Sequence, residues 1–301
     1  MWKTLLEKLI KGDYKALSRA ISLIENEAKG FDELLKSLPL SQTKILGITG
    51  PPGAGKSMLT DALIGEFVKQ KKRVGVLCVD PSSPFNFGAL LGDRLRMSEW
   101  YNHPNVFIRS LATRGNLGGL NPKIIEITDV MKAASFNQII IETVGVGQSE
   151  VEIAGLADTT VVVLVPESGD EVQTMKAGLM EIADIFVVNK ADRPGAETFV
   201  KNLKLRLAPA FHQKKNIPVI KTIATEKDGI AELFNTIMQH QQHSQPAERK
   251  YQLLAEKAFH LIQSHRMKNI SRQDLQNKIK AAGDNFNLYT FINEYKNVDG
   301  W

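Results

Sequence analysis

The residues with the clearest chemical potential begin at position 50. Gly50, Pro51, Pro52, Gly53, Ala54, Gly55, Lys56 and Ser57 satisfy the pattern G-x-x-x-x-G-K-[ST]. Glycines at this spacing let successive backbone N–H groups converge on phosphate oxygens, and a helix opening at Lys56 adds the partial positive charge of its N-terminus. Lys56 brings a mobile point charge, and Ser57 a hydroxyl suited to Mg²⁺. Such a loop needs a strand before it and a helix after it. The apolar run Lys44 to Thr49 and the amphipathic stretch Lys56 to Gln70 offer both.

A second cluster would choose the base. Asn189, Lys190 and Asp192 form N-K-x-D at the end of the apolar run Ile185 to Asn189. An aspartate there can accept two hydrogen bonds from the N1 and N2 protons of guanine; adenine has no equivalent and would leave the acceptor unpaired. Asn189 and Lys190 are expected to brace the loop and cover the base. Ile223, Ala224 and Thr225 follow another predicted strand and would offer backbone N–H groups to the guanine carbonyl. The expected ligands are therefore GTP and GDP with Mg²⁺.

Three carboxylates are candidates for the metal, directly or through water: Asp80 in Val79-Asp-Pro-Ser-Ser-Pro84, Asp93 in Gly92-Asp-Arg-Leu-Arg96, and Glu142 in Ile141-Glu-Thr-Val-Gly145. Gly145, three residues after Glu142, stands where a D-x-x-G element would let a backbone N–H sense the γ-phosphate, so this segment is read as a switch. Gln148 is similar to the water-positioning glutamine of small GTPases but stands at a longer spacing from Glu142, so it is given little weight, and the attacking water has no assigned activator.

The elements that must carry these groups alternate along the chain. Strands are predicted at 44–49, 73–79, 106–110, 138–143, 159–165, 185–189 and 219–223, and helices at 56–70, 122–134, 172–181, 196–207 and 229–241. β-branched runs alternating with amphipathic stretches imply an α/β fold with a mostly parallel, doubly wound sheet of the P-loop NTPase type. Residues 1–43 read as an N-terminal helical extension packed on the core, with Leu17, Ala20, Ile21 and Ile24 on one face. Residues 44–243 form the nucleotide domain. Residues 244–301 form a C-terminal helical extension, either a dimerisation arm or a cap, with Ser271 and Asp274 as a capping box.

Composition narrows the remaining classes. The 301 residues carry a formal net charge of +5, but acids and bases are interspersed throughout, so no nucleic-acid patch is expected. The single cysteine, Cys78, excludes a disulfide framework. No uninterrupted apolar run reaches membrane-spanning length. A cytoplasmic location is expected, without a membrane partner. The six histidines are scattered outside the nucleotide motifs, and His240 and His243 are read as surface residues.

Taken together, Thr49 to Ser57, Val79 to Pro84, Leu91 to Met97, Thr113 to Gly119, Glu142 to Glu150 and Val188 to Asp192 resemble the MeaB/ArgK family, the methylmalonyl-CoA mutase-associated GTPases. The likeness extends to Ala16 through Glu25, which has no nucleotide role. It implies a homodimeric GTPase of the signal-recognition, MinD and BioD class. Such a protein acts as a G-protein chaperone of an adenosylcobalamin-dependent acyl-CoA mutase, gating cofactor loading and protecting or reactivating the enzyme. The resemblance places Asp80, Asp93 and Glu142 at metal and switch positions. It also makes Asp170, Gln173 and Lys176 a third switch, with Lys176 promoting hydrolysis alongside Lys56, Asp80 and Glu142.

Two other readings share the core. A nickel-delivery GTPase for hydrogenase or urease maturation would need Cys or His beside the switch loops, where Pro81 to Pro84 stand instead. A P-loop kinase would need an acceptor pocket, and N-K-x-D argues against an ATP donor.

Overall fold

The computed structural model describes residues 2–80, 97–113, 120–144, 152–168, 180, 182–207, 217–242, 247–267, 270–282 and 286–296. Three helices open the chain: α1 (Trp2–Ile10), α2 (Tyr14–Glu25) and α3 (Phe31–Lys36). Asp13 caps α2 by accepting from the backbone N–H of Lys15 at 2.8 Å and Ala16 at 3.0 Å. The Ala16 bond leads the effects that hold this exposed carboxyl below its usual range.

The core then alternates β1 (Lys44–Thr49), α4 (Lys56–Lys69), β2 (Val74–Asp80), β3 (Val106–Ala112), α5 (Ile124–Ala133), β4 (Gln138–Glu142), β5 (Thr159–Leu164), β6 (Ile185–Asn189), α6 (Ala196–Leu207), β7 (Val219–Thr222) and α7 (Ile230–Gln242). The strands form one seven-stranded sheet in the order β3-β2-β4-β1-β5-β6-β7, and every pairing is parallel. A parallel sheet must be covered on both faces, and the alternation of side chains shows how. Ile45, Leu77, Ile139 and Ile141 point to one face, where they pack with Leu9, Leu17, Ile21, Ile24 and Leu34 of the first three helices and with α5. Leu46, Ile48, Val76, Ile140, Val161 and Val187 point to the other, against Leu63 and Phe67 of α4 and Leu233 and Phe234 of α7. Farther along the first face, Val162, Phe186 and Val188 meet Phe199 and Leu203 of α6. Each fully buried Leu, Ile or Phe contributes about 1.5–3 kcal/mol by area.

The N-terminal helices therefore complete the cover of the sheet's first face, and the chain clusters into one compact unit from Met1 to Glu248 and a second from Arg249 to Trp301. The second unit holds most of α8 (Ala247–Met267), then α9 (Arg272–Ala282) and α10 (Leu288–Lys296). Ser271 caps α9 as its sequence predicts, its Oγ accepting from Asp274 N–H at 3.0 Å. Helix α10 was not predicted: nine residues with two tyrosines and a β-branched pair give a weak periodic signal. No helix among the described residues is long and apolar enough to cross a membrane.

Most of the helix predicted over 172–181 lies outside the described residues, as do Asp93, Gly145, Asp170, Gln173 and Lys176. Other core boundaries match or move by at most two residues. The change that bears on the site is at β2, which takes in Asp80 as its last residue.

Candidate nucleotide site

β1 occupies the centre of the sheet. From it the chain winds outward to β2 and β3 on one side and, after β4 returns beside β1, to β5, β6 and β7 on the other. The crevice at the C-terminal ends of such strands, where the winding reverses, is where open α/β sheets take ligands. The loop from Gly50 to Gly55 leaves β1 at this point. Gly50 has φ 141°, and a Cβ there would sit 2.1 Å from the carbonyl oxygen of Val163. Gly55 has φ 89° and would drive a Cβ to 2.3 Å from Asn189 Nδ2. Both positions require glycine, one for approach to β5 and the other for approach to Asn189 at the end of β6.

Lys56 and Ser57 are the first two residues of α4, and both are buried. The Lys56 ammonium donates to the carbonyls of Gly50 at 2.9 Å and Pro51 at 3.1 Å, which holds the positive charge inside the curl of the loop. Ser57 Oγ donates to Glu142 Oε1 at 2.6 Å, a short charge-assisted bond between α4 and the end of β4. Thr60 Oγ1 reaches the second carboxylate oxygen, Oε2, at 3.0 Å. Glu142 is register partner to Ile48 of β1 and Cys78 of β2, and Asp80 lies two residues beyond Cys78 on the same face. Asp80 and Glu142 are 2% and 4% exposed. Two carboxylates and a hydroxyl, buried at adjacent strand ends beside the phosphate loop, are a hard-oxygen donor set suited to a small divalent cation. Ser57 and Glu142 thus meet directly, and Asp80 stands at the end of the neighbouring strand.

The loops expected to hold the base meet at Asn189. Its Nδ2 donates to the carbonyl of Ala54 in the phosphate loop at 2.9 Å, while its Oδ1 accepts from Thr222 Oγ1 at 3.0 Å and from the backbone N–H of Ala224 at 3.2 Å. One buried amide therefore joins the phosphate loop, the end of β6 and the Ile223–Thr225 loop after β7. Lys190 takes a left-handed φ of 56°, which turns the chain so that Ala191 N–H donates to Thr222 O at 3.1 Å. Asp192 is exposed at the tip of this turn. Arg193 pairs with Glu167, and this neighbour leads the effects that hold the Glu167 carboxyl below its usual range.

Sequence reading missed Thr60, whose hydroxyl is fully buried in the site; its only sequence signal is the i,i+3 spacing from Ser57. His240 is a correction to its reading as a surface residue. It is half-buried in α7, with Nδ1 2.8 Å from Thr159 Oγ1 and Nε2 3.3 Å from Asp184 Oδ1, because the packing of α7 on the sheet brings these three distant positions together. His243 lies outside the described residues.

A parallel sheet covered on both faces, with its phosphate loop leaving the central strand and N-K-x-D closing a strand beyond it, defines the P-loop GTPase class. The profile of the family described as "Methylmalonyl Co-A mutase-associated GTPase MeaB" matches residues 17–284, and the chain belongs to that family. Sequence relatives agree. A Pyrococcus horikoshii protein named as a GTPase is 45% identical over 288 residues, covering 94% of this chain and 89% of its own. A protein of Geobacillus kaustophilus named fused isobutyryl-CoA mutase is 37% identical over 239 residues, covering 73% of this chain but 22% of that much longer protein. Among solved structures, a LAO/AO transport system kinase superposes with a TM-score of 0.66 at 24% identity over 98% of this chain and 96% of its own, which shows the shared fold.

Proposed function

We propose that this GTPase serves an adenosylcobalamin-dependent acyl-CoA mutase such as methylmalonyl-CoA mutase as a G-protein chaperone, gating cofactor loading and protecting or reactivating the enzyme. One observation carries the reading: a relative whose name is that of an acyl-CoA mutase contains a segment 37% identical to most of this chain. The family's own description, a mutase-associated GTPase, points the same way.

In this reading the backbone N–H groups of the Gly50–Ser57 loop and the Lys56 ammonium bind the β- and γ-phosphates of GTP. Lys56 leaves the carbonyls of Gly50 and Pro51 for the phosphates, exchanging neutral acceptors for anionic ones. Ser57, Asp80 and Glu142, with Asp93, would hold Mg²⁺ directly or through water. The cation's contribution is to neutralise charge gathering on the phosphate oxygens. Asp192 accepts from guanine, Asn189 keeps the two loops in register, and Ile223, Ala224 and Thr225 present their backbone to the base's carbonyl. Gly145 would sense the γ-phosphate, and Asp170, Gln173 and Lys176 would carry the mutase's influence to the site. The working unit is proposed to be a homodimer acting in the cytoplasm.

The test is reconstitution with a purified acyl-CoA mutase. Transfer of adenosylcobalamin, followed by its absorbance, should depend on GTP, and single-turnover hydrolysis should accelerate when the mutase is added. Cofactor loading that ignores the nucleotide, with hydrolysis unchanged by the mutase, would refute the chaperone role.

A further inference from the structure

Thr60 is absent from every motif, yet it is fully buried and touches the Glu142 carboxylate. Its Oγ1 lies 2.9 Å from the carbonyl oxygen of Lys56 and 3.0 Å from Glu142 Oε2. The first contact is routine, since helical threonines often bond the carbonyl four residues back. The second is not. Ser57 and Thr60 are three residues apart on one side of α4, and each reaches a different oxygen of the same carboxylate, Ser57 at 2.6 Å to Oε1 and Thr60 at 3.0 Å to Oε2. Two hydroxyls on one helical turn therefore fix the rotation of the Glu142 carboxylate about its last bond, a torsion that is otherwise broad. A carboxylate offers about four acceptor sites, so accepting from two hydroxyls does not exhaust it. A hydroxyl can also donate its proton while its oxygen ligates a cation, so the Ser57 bond is compatible with metal binding.

We propose that Thr60 is a positioning residue for Glu142: its hydroxyl holds Oε2 so that Oε1 stays aligned with Ser57, where the two would share a cation. Thr60 has one proton and two acceptors in reach. When Glu142 shifts, the hydroxyl turns to donate to the Lys56 carbonyl instead and no buried donor is stranded, so the clamp opens without leaving its donor unpaired. The inference rests on Ser57 and Glu142 serving a GTP-bound cation. It predicts that the hydroxyl, and not the bulk of the side chain, sets how well the site uses Mg²⁺.

The experiment compares Thr60→Ser, Thr60→Ala and Thr60→Val in the full-length protein. Three quantities are read: the Mg²⁺ concentration that half-maximally slows release of fluorescent GDP, kcat and KM for GTP, and the melting temperature. Ala and Val should raise the half-saturating Mg²⁺ about three-fold or more and lower kcat by a similar factor, with KM within about two-fold of the parent. Ser should restore both. Ser and Ala differ by a single oxygen, so that pair decides the matter even where Val fails to fold. Folded Ala and Ser variants with the same Mg²⁺ response, or an Ala variant altered only in melting temperature, would overturn the clamp. Nucleotide release indifferent to Mg²⁺ in the parent protein would instead overturn the underlying site.

Discussion

The two ends of the sheet both bury polar side chains, and they do so for opposite reasons. At the C-terminal ends of the strands, Lys56, Asp80 and Glu142 are buried charges on a glycine-built loop and strand tips, where we propose that the nucleotide and its cation bind. At the N-terminal ends, Thr159 of β5, Asp184 beside β6 and His240 of α7 close on one another: the ring bridges Thr159 and Asp184, and Asp184 Oδ2 accepts from the backbone N–H of Thr160 at 3.0 Å. The first cluster holds charge in readiness for a ligand. The second completes itself and fastens α7 to the sheet. Substitutions at the first should therefore cost function, and substitutions at the second should cost stability.

The largest expected effect is at the phosphate loop. Lys56→Ala should lower GTP hydrolysis by about 100-fold or more while circular dichroism stays unchanged, because its charge serves the phosphates rather than the fold. Next comes the base. Asp192→Ala should weaken GTP binding by about 100-fold and leave the weak binding of ATP alone, collapsing the preference measured by competition. At the opposite end, His240→Ala should cost about 1–3 kcal/mol in urea unfolding, by leaving Thr159 and Asp184 without the ring. Its turnover per folded molecule should stay within about two-fold of the parent. A loss of activity there without a loss of stability would erase the distinction between the two ends.

The smallest effect belongs to Arg193 and Glu167. Their carboxyl titrates below its usual range chiefly because Arg193 bonds it, so its stabilising contribution is present above the ordinary carboxylate range and disappears as pH falls through the lowered value. Both groups are about half exposed, which limits the pair to about 0.2–1 kcal/mol. Arg193→Ala should differ slightly from the parent in urea unfolding near neutral pH and converge with it in acid.

The same contrast explains what the sequence disclosed. The phosphate loop and N-K-x-D are legible because neighbouring residues supply several groups to one ligand, so the chemistry is written in short spacings. The strands were legible because a parallel sheet covered on both faces demands continuous apolar runs, as in Ile139 to Ile141 and Val161 to Val163. The amphipathic face of α2 announced its burial for a similar reason. The His240 cluster was not legible. Its members stand at positions 159, 184 and 240 and meet only through the packing of α7, so a lone histidine near a polar stretch looked like surface. Thr60 was hidden differently: it lies within sight of Ser57, but a threonine in a helix carries no signal of the carboxylate that β4 brings to it.

The most direct measurement of the central claim is phosphate release from GTP and from ATP, side by side, with saturating Mg²⁺, in the presence and absence of a purified acyl-CoA mutase. The account predicts saturable hydrolysis with a preference of about 100-fold or more for GTP, and a faster rate when the mutase is present. Equal use of ATP would contradict the assignment of Asp192 and Asn189, and a GTP rate indifferent to the mutase would contradict the proposed partnership.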